Sequence, residues 1–96
     1  MQTMCTEDLP YNNFITVEFR SYVYPSVYVD GFAPGKKIKI RLADNLLLKE
    51  FLQIFFYRQK KNIGFVAINR ILVHKNHCFY EGDFIEVFSP IRKLRG

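Results

Sequence analysis

The segment Glu81-Gly-Asp-Phe-Ile-Glu-Val-Phe88 decides the fold of this chain, because a turn sequence leads directly into a short apolar strand. Gly82 permits the positive φ that a tight turn needs, and the Asp83 carboxylate can accept hydrogen bonds from backbone N–H groups of the same turn. Four of the next five residues, Phe84–Phe88, are aromatic or β-branched, as in strands, and Pro90 ends the run. The segment therefore predicts a tight turn followed by a buried strand.

Two earlier strands are predicted by strict alternation of apolar and polar residues. They span Phe14–Val23 and Lys36–Leu42, with Asp30-Gly31 and Pro34-Gly35 turns between them. A period of two is typical of strands with one buried face, and the two strands are expected to pair antiparallel. The inward positions are Ile15, Val17, Phe19, Ile38, Ile40 and Leu42, and the outward ones include Lys37, Lys39 and Arg41.

One amphipathic helix is predicted between these strands and the rest of the chain. It runs from Asn45 to about Lys61, with Asp44 as its N-cap. The basic end, from Arg58 onward, would suit the negative end of the helix dipole. Apolar residues recur at spacings of three and four and form one stripe: Leu47, Leu48, Phe51, Leu52, Phe55 and Phe56.

The order of the predicted elements gives the fold class. A buried strand at Ile63–Asn69 turns tightly at Asn69-Arg70 into Ile71–Val73, and the Phe84 strand follows. Because strands do not alternate with helices, a doubly wound sheet is excluded. The prediction is α+β: a ubiquitin-like β-grasp, with a mixed sheet of four to five strands, the first and last in the middle, under one helix.

Composition places limits on domain number and location. The chain has 96 residues, a formal net charge of +5 and a pI near 9.4, which predicts one domain at residues 14–90 between a flexible leader (1–13) and a C-terminal tail (91–96). It has no apolar run long enough for a bilayer and no signal-peptide pattern, so a cytoplasmic protein is expected. Cys5 and Cys78 are expected to be reduced thiols.

Several of these segments resemble the ubiquitin-like sulfur carriers of thiamine and molybdopterin synthesis, the ThiS and MoaD proteins. Phe65-Val-Ala-Ile-Asn69 is similar to the apolar strand of that family, which ends in a Val-Asn-Gly turn. Glu81–Val87 resembles its Asp-Gly-Asp-Glu-Val-x-Val signature, and Pro90 follows at the expected distance. Leu48–Leu52 is similar to its helix start. The resemblance covers about Phe14 to Gly96, and it implies a β-grasp fold.

The resemblance also implies a function that depends on the carboxylate of Gly96. An E1-like enzyme would adenylate this carboxylate and convert it to a thiocarboxylate, which delivers sulfur to a molybdopterin or thiamine precursor. The chain would act as a carrier and not as an enzyme, without a cofactor or metal of its own. Its tail ends Arg95-Gly96 where the family has Gly-Gly. The residues expected to contact the E1-like enzyme or a synthase large subunit are Phe65, Phe88, Ile91, Arg92, Lys93, Leu94 and Arg95.

The sequence also contains features of three other kinds of site. A β-grasp interaction module without acyl chemistry would use the same sheet face. A basic domain that binds single-stranded nucleic acid is the less favoured alternative; it rests on Tyr22, Tyr24, Tyr28 and Phe32 near Lys36 and Lys37. A metal site at His74, His77 and Cys78 lacks a fourth ligand, so these are expected to be loop residues.

Overall fold

A computed structural model describes residues 13–73 and 76–90 and shows an α+β domain with a five-stranded mixed sheet. The predicted fold class is confirmed at this level. Residues 1–12 of the predicted leader and the whole predicted tail, 91–96, lie outside the described residues. The elements are β1 (Phe14–Ser21), β2 (Ile38–Ala43), α1 (Leu48–Phe55), a 3₁₀ turn (Lys60–Asn62), β3 (Phe65–Ile68), β4 (Ile71–Leu72) and β5 (Phe84–Phe88).

The five strands lie in the order β2-β1-β5-β3-β4. β1 and β5 run parallel, and the other neighbours run antiparallel. The first and last strands therefore occupy inner positions of the sheet, as predicted. The register aligns Glu18 with Phe84 across the parallel pair, and Phe65 with Phe88 across the pair β3–β5.

The core lies between one face of the sheet and α1, and it follows the predicted alternation. Phe51 of α1 is fully buried and contacts Phe19 of β1 edge-on, with ring centroids 5.9 Å apart. Phe79 also contacts the Phe51 ring edge-on, with ring centroids 5.5 Å apart. Each such side chain contributes about 1.5–3 kcal/mol on burial. The buried cluster comprises Ile15, Val17, Phe19, Val23, Leu42, Leu48, Phe51, Phe56, Val66, Ile68, Phe79, Ile85 and Val87.

The helix is much shorter than its sequence pattern predicts, and Asp44 is not its N-cap. Leu47 occupies that position in an extended conformation because it forms a β-bridge with Cys78, and its N–H donates to Glu50 Oε1 at 2.9 Å. Phe56 leaves the helical conformation and is completely buried, so the basic run after it lies beyond the helix end. No helix in the described ranges is long and apolar enough to cross a membrane.

The two predicted turns in the second half of the chain are present. Gly82 has φ +85°, and the Asp83 carboxylate accepts a hydrogen bond from the Tyr80 N–H at 2.9 Å. Asn69 and Arg70 both adopt positive φ, 55° and 73°, in the tight turn between β3 and β4. The Asn69 amide then joins the two turns: it accepts from the Phe84 N–H and donates to Asp83, each at 3.0 Å.

The expectation of reduced thiols is wrong for Cys78, which is disulfide-bonded. Its partner lies outside the described residues, as does Cys5. Cys78 is half-buried beside the start of α1, where its bridge to Leu47 aligns the two backbones. The sequence argument failed for Cys78 because composition and position in the chain do not show which groups a side chain meets in the fold.

Candidate functional site on the outer face of the sheet

The side of the sheet that faces away from α1 is called the outer face here. Strand residues alternate between faces, so the neighbours of core positions point outward. The outer face consists of Phe14, Thr16, Glu18 and Arg20 of β1, Lys39, Arg41 and Ala43 of β2, Phe65 and Ala67 of β3, Leu72 of β4, and Phe84, Glu86 and Phe88 of β5. Tyr22, Lys37 and Arg70 extend from adjoining turns and contact these side chains.

An aromatic row crosses one end of this face and consists of Tyr22, Phe88 and Phe65. Phe88 stacks on Phe65 with centroids 4.8 Å apart, and on Tyr22 with centroids 5.5 Å apart. The cross-strand register produces the row, because Phe65 is paired with Phe88 and the Tyr22 N–H donates to the carbonyl of Val87. Phe65 and Phe88 are half-buried and Tyr22 is exposed, so the row presents an apolar ridge to solvent.

Phe84 lies at the middle of the outer face, with three cations around its ring. The Lys37 ammonium is 4.7 Å from the ring centroid, and the guanidinium carbons of Arg20 and Arg70 are 5.4 and 5.8 Å away. Cations close to an aromatic ring are attracted by its quadrupole. Phe84 is buried. The side chains that cover it are these three cations on the outer face, although an apolar residue would be expected to pack in the core.

The carboxylate of Glu86 joins two of those cations. It lies 3.2 Å from Arg20 Nη1 and 3.8 Å from Arg70 Nε, although only 6% of its side chain is exposed. Arg20 Nε is buried without a hydrogen-bond partner. At the margin, Lys37 Nζ lies 3.6 Å from Glu18 Oε1. The outer face is thus organised by charged groups as well as by aromatic rings.

Gly64 fixes the path of the chain where β5 ends. A Cβ at Gly64 would lie 2.6 Å from the Ser89 carbonyl oxygen and from the Pro90 Cα. The Gly64 N–H also donates to the Phe88 carbonyl at 2.6 Å. This close backbone contact requires glycine. It places Pro90, and therefore the start of the segment that follows, directly after the aromatic row.

The structure places two of the predicted partner-binding residues side by side, namely Phe65 and Phe88 of the aromatic row. Their role in binding stays a prediction. The other predicted site residues lie outside the described residues: Ile91, Arg92, Lys93, Leu94, Arg95 and Gly96.

The tyrosine cluster considered for nucleic acid does not assemble as one surface. Phe32 is half-buried and packs against Phe19 of the core at 6.2 Å, with Tyr24 on its edge. Tyr28 is highly exposed, and its hydroxyl donates to Asp30 Oδ1 at 3.0 Å. That hydrogen bond and the Asp30 charge raise the pKa of Tyr28 above its usual value. Only Tyr22 of this set lies on the outer face.

Metal ligands do not come together in residues 13–73 and 76–90, which contain no cluster of three or more His, Cys, Asp or Glu side chains. The His77 carbonyl accepts a hydrogen bond from the Leu48 N–H, and Cys78 is in a disulfide. His74 lies outside the described residues.

Comparisons with protein-family models, with curated proteins and with solved structures find no match.

The sequence reasoning missed Gly64, Glu86 and the convergence of Arg20 and Arg70. A signal existed for Glu86, because a charged residue at the centre of an apolar strand needs a partner when it is buried. The partners come from β1 and from the β3–β4 turn, 66 and 16 residues earlier in the chain, and only the sheet order identifies them.

Proposed function

We propose that the domain is a β-grasp and that it acts as a sulfur-carrier-like protein, which docks an E1-like adenylating enzyme through the aromatic row and presents Gly96 for adenylation and thiocarboxylation. The observation that carries the proposal is the position of the aromatic row beside the end of β5. Sulfur would then pass to a molybdopterin or thiamine precursor.

Three features of the described residues support the β-grasp assignment. β5 lies between β1 and β3, parallel to the first and antiparallel to the second. A single α-helix in the described part of the chain follows the β1–β2 hairpin and covers one face. The turn at Gly82 leads directly into the central strand.

The geometry around Pro90 supports docking next to an extended tail. Pro90 lies two positions after Phe88, the last residue of β5, residues 91–96 follow in the sequence, and an extended chain spans at most about 3.3–3.6 Å per residue. Six residues would therefore reach about 20 Å from the sheet, enough to enter a channel in an enzyme that holds the aromatic row. Such a row can act as a binding hot spot, in which aromatic side chains contribute most of the affinity.

The carrier role requires that Gly96 bears the free α-carboxylate of the mature protein and that this carboxylate becomes a thiocarboxylate. Intact mass spectrometry tests both requirements. Incubation with ATP, sulfide and an E1-like enzyme from the same organism should add about 16 Da, the difference between sulfur and oxygen. Deletion of Gly96 should abolish the gain without changing the thermal unfolding. A gain of mass in the deletion variant would refute the acyl-carrier role.

Docking is tested separately by Phe65→Ala, with Ile71→Ala as the matched control. Both residues lie on the sheet, and Ile71 is well exposed on β4 outside the aromatic row. We expect Phe65→Ala to raise the carrier concentration required for half-maximal adenylation about ten-fold or more, as for other interface anchors. An equal effect of both variants would remove the aromatic row from the docking surface.

The second candidate function is a protein-interaction module that uses the same aromatic row without acyl chemistry. This second function is favoured by the aromatic row, because an exposed apolar ridge would be able to dock a protein whether or not Gly96 reacts. Under this alternative, the E1-like enzyme leaves the mass unchanged, while a partner recovered by affinity capture loses binding to Phe65→Ala and keeps binding to Ile71→Ala.

A further inference from the structure

We propose that the β1–β2 side of the outer face binds single-stranded nucleic acid, with Lys37, Lys39 and Arg41 along the phosphates and Phe14 against a base. This site is separate from the aromatic row. It requires neither Gly96 nor a partner enzyme, so it can be tested independently of the carrier role.

Charge on the outer face favours a polyanion. Five cationic side chains contribute to this face: Arg20, Lys37, Lys39, Arg41 and Arg70. Against them stand three carboxylates: Glu18 and Glu86 on the face, and Glu81, which accepts a hydrogen bond from the Thr16 N–H at its margin. The net charge is therefore +2. Glu86 is buried between Arg20 and Arg70, so it presents little negative charge to an approaching ligand.

The cations of the β2 edge form a line. Lys37, Lys39 and Arg41 occupy alternate positions, so their backbone positions lie roughly 6.6 Å apart along the chain. The Lys37 ammonium is at the inner margin of this line, 3.6 Å from Glu18 Oε1. All three are exposed. β2 has β1 on one side and is an edge strand of the sheet on the other, which leaves an extended polynucleotide free to follow the line. Positively charged tracks of this kind bind single strands through the phosphate backbone.

Phe14 supplies a ring at the end of that line. Its side chain is 54% exposed, and its cross-strand partner is Ala43, which is too small to cover it. The Arg41 guanidinium carbon lies 5.1 Å from the ring centroid, so a phosphate contact and a stacking surface occur together. Stacking of a base on an aromatic ring contributes about 1–3 kcal/mol.

The other rings of the outer face are less suited to a base. Phe84 is surrounded by three cations, and the members of the aromatic row stack against one another. This distribution separates an apolar ridge, which fits a protein, from a basic edge with one open ring, which fits a single strand. An acidic protein segment would match the positive charge of the β2 edge, but it has no base that would stack on the exposed Phe14 ring.

Fluorescence anisotropy with a labelled twelve-nucleotide deoxythymidine oligomer tests the site on the full chain. Three phosphate contacts predict that log K falls with log salt with a slope of about −2. The variant Lys39→Glu/Arg41→Glu should bind about ten-fold more weakly or worse. Lys49→Glu/Lys61→Glu is the matched control, because it changes the net charge equally at exposed positions outside β2, and it should bind within about two-fold of the unmodified chain.

A second pair of variants tests the ring. Phe14→Leu should weaken binding about five-fold or more, since a stacked base is lost. Tyr57→Leu is the control, because Tyr57 is exposed just after the end of α1, on the other side of the sheet, and it should not weaken binding. Thermal unfolding checks that each variant is folded. If Lys39→Glu/Arg41→Glu does not fold, the single variant Lys39→Glu replaces it. The proposal is overturned if the two charge variants bind equally, if Phe14→Leu has no effect, or if the unmodified chain does not bind. Equal displacement by a poly-glutamate peptide would assign the edge to acidic proteins instead.

Discussion

Glu86 and Arg20 form an ion pair across the parallel strands β5 and β1, with Glu86 Oε2 3.2 Å from Arg20 Nη1. The pair lies at the centre of the outer face, next to the Phe84 ring. Glu86 is nearly inaccessible to solvent, whereas Arg20 is partly exposed. A buried carboxylate held between two arginines orients both of them, and both in turn cover Phe84.

Replacement of Glu86 by Ala should lower the free energy of unfolding by about 1–3 kcal/mol, because the partly buried guanidinium group of Arg20 loses the acceptor of its Nη1 hydrogen bond. Chemical denaturation measures the change. The control is Glu18→Ala, whose ion pair with Lys37 is exposed on both sides and should contribute about 0–1 kcal/mol. Equal losses in the two variants would mean that burial of Glu86 has no energetic consequence.

The turn before β5 should be sensitive to backbone conformation and insensitive to volume. Gly82 has φ +85°, and nothing lies within 4 Å of a Cβ built there. Gly82→Val should therefore cost roughly 1–2 kcal/mol or more through strain alone. Gly82→Asn should cost less, because asparagine tolerates positive φ. Melting temperatures distinguish the two, and an unchanged value for Gly82→Val would contradict the role of this turn.

Gly64 should be sensitive to side-chain volume and not to backbone conformation, because backbone atoms occupy the space that a Cβ would need. A methyl group would collide with the backbone of Ser89 and Pro90, so Gly64→Ala is expected to displace the end of β5. Amide chemical shifts of Phe88 and Ser89 should change, together with those of the aromatic row, while those of β2 should not. Shifts that remain in place at Ser89 would show that the contact is looser than the structure indicates.

The disulfide at Cys78 predicts that thiol alkylation of the denatured, unreduced protein leaves Cys78 unmodified, and that alkylation after reduction modifies it. Peptide mass spectrometry gives the result directly. Disulfides are rare in reducing compartments. The bond at Cys78 therefore favours an oxidising compartment, whereas the predicted cytoplasmic location is a reducing one. Recovery of alkylated Cys78 from the unreduced protein would show that the thiol is free and would restore the original expectation.

The sequence predicted those features of the fold that depend on neighbouring residues. Alternation identified the inward positions of β1 and β2, Gly82 identified the turn before β5, and Asn69 identified the turn between β3 and β4. Each depends on local backbone preference or on a period of two, which can be read without knowledge of the fold.

Features that depend on distant contacts could not be predicted in this way. The apolar stripe suggested a helix to Lys61, but burial of Phe56 ends α1 at Phe55. Phe84 begins a strand that was predicted to be buried, but the sequence did not show that cations from β1 and two turns would cover its ring on the outer face. For the candidate site, the sequence predicted Phe65 and Phe88 as surface residues without the stacking between them, and it did not identify Gly64.

The parallel pairing of β1 with β5 has a consequence for synthesis on the ribosome. Residues paired across it, such as Glu18 and Phe84, are separated by most of the domain, and contacts between distant residues slow folding. β1 cannot pair with its inner neighbour until residues 84–88 leave the exit tunnel, so the edge of β1 that later pairs with β5 stays without backbone partners from that strand in the meantime. We expect nascent chains that end before β5 to bind chaperones and to aggregate when released, whereas chains that extend past Pro90 should fold cooperatively.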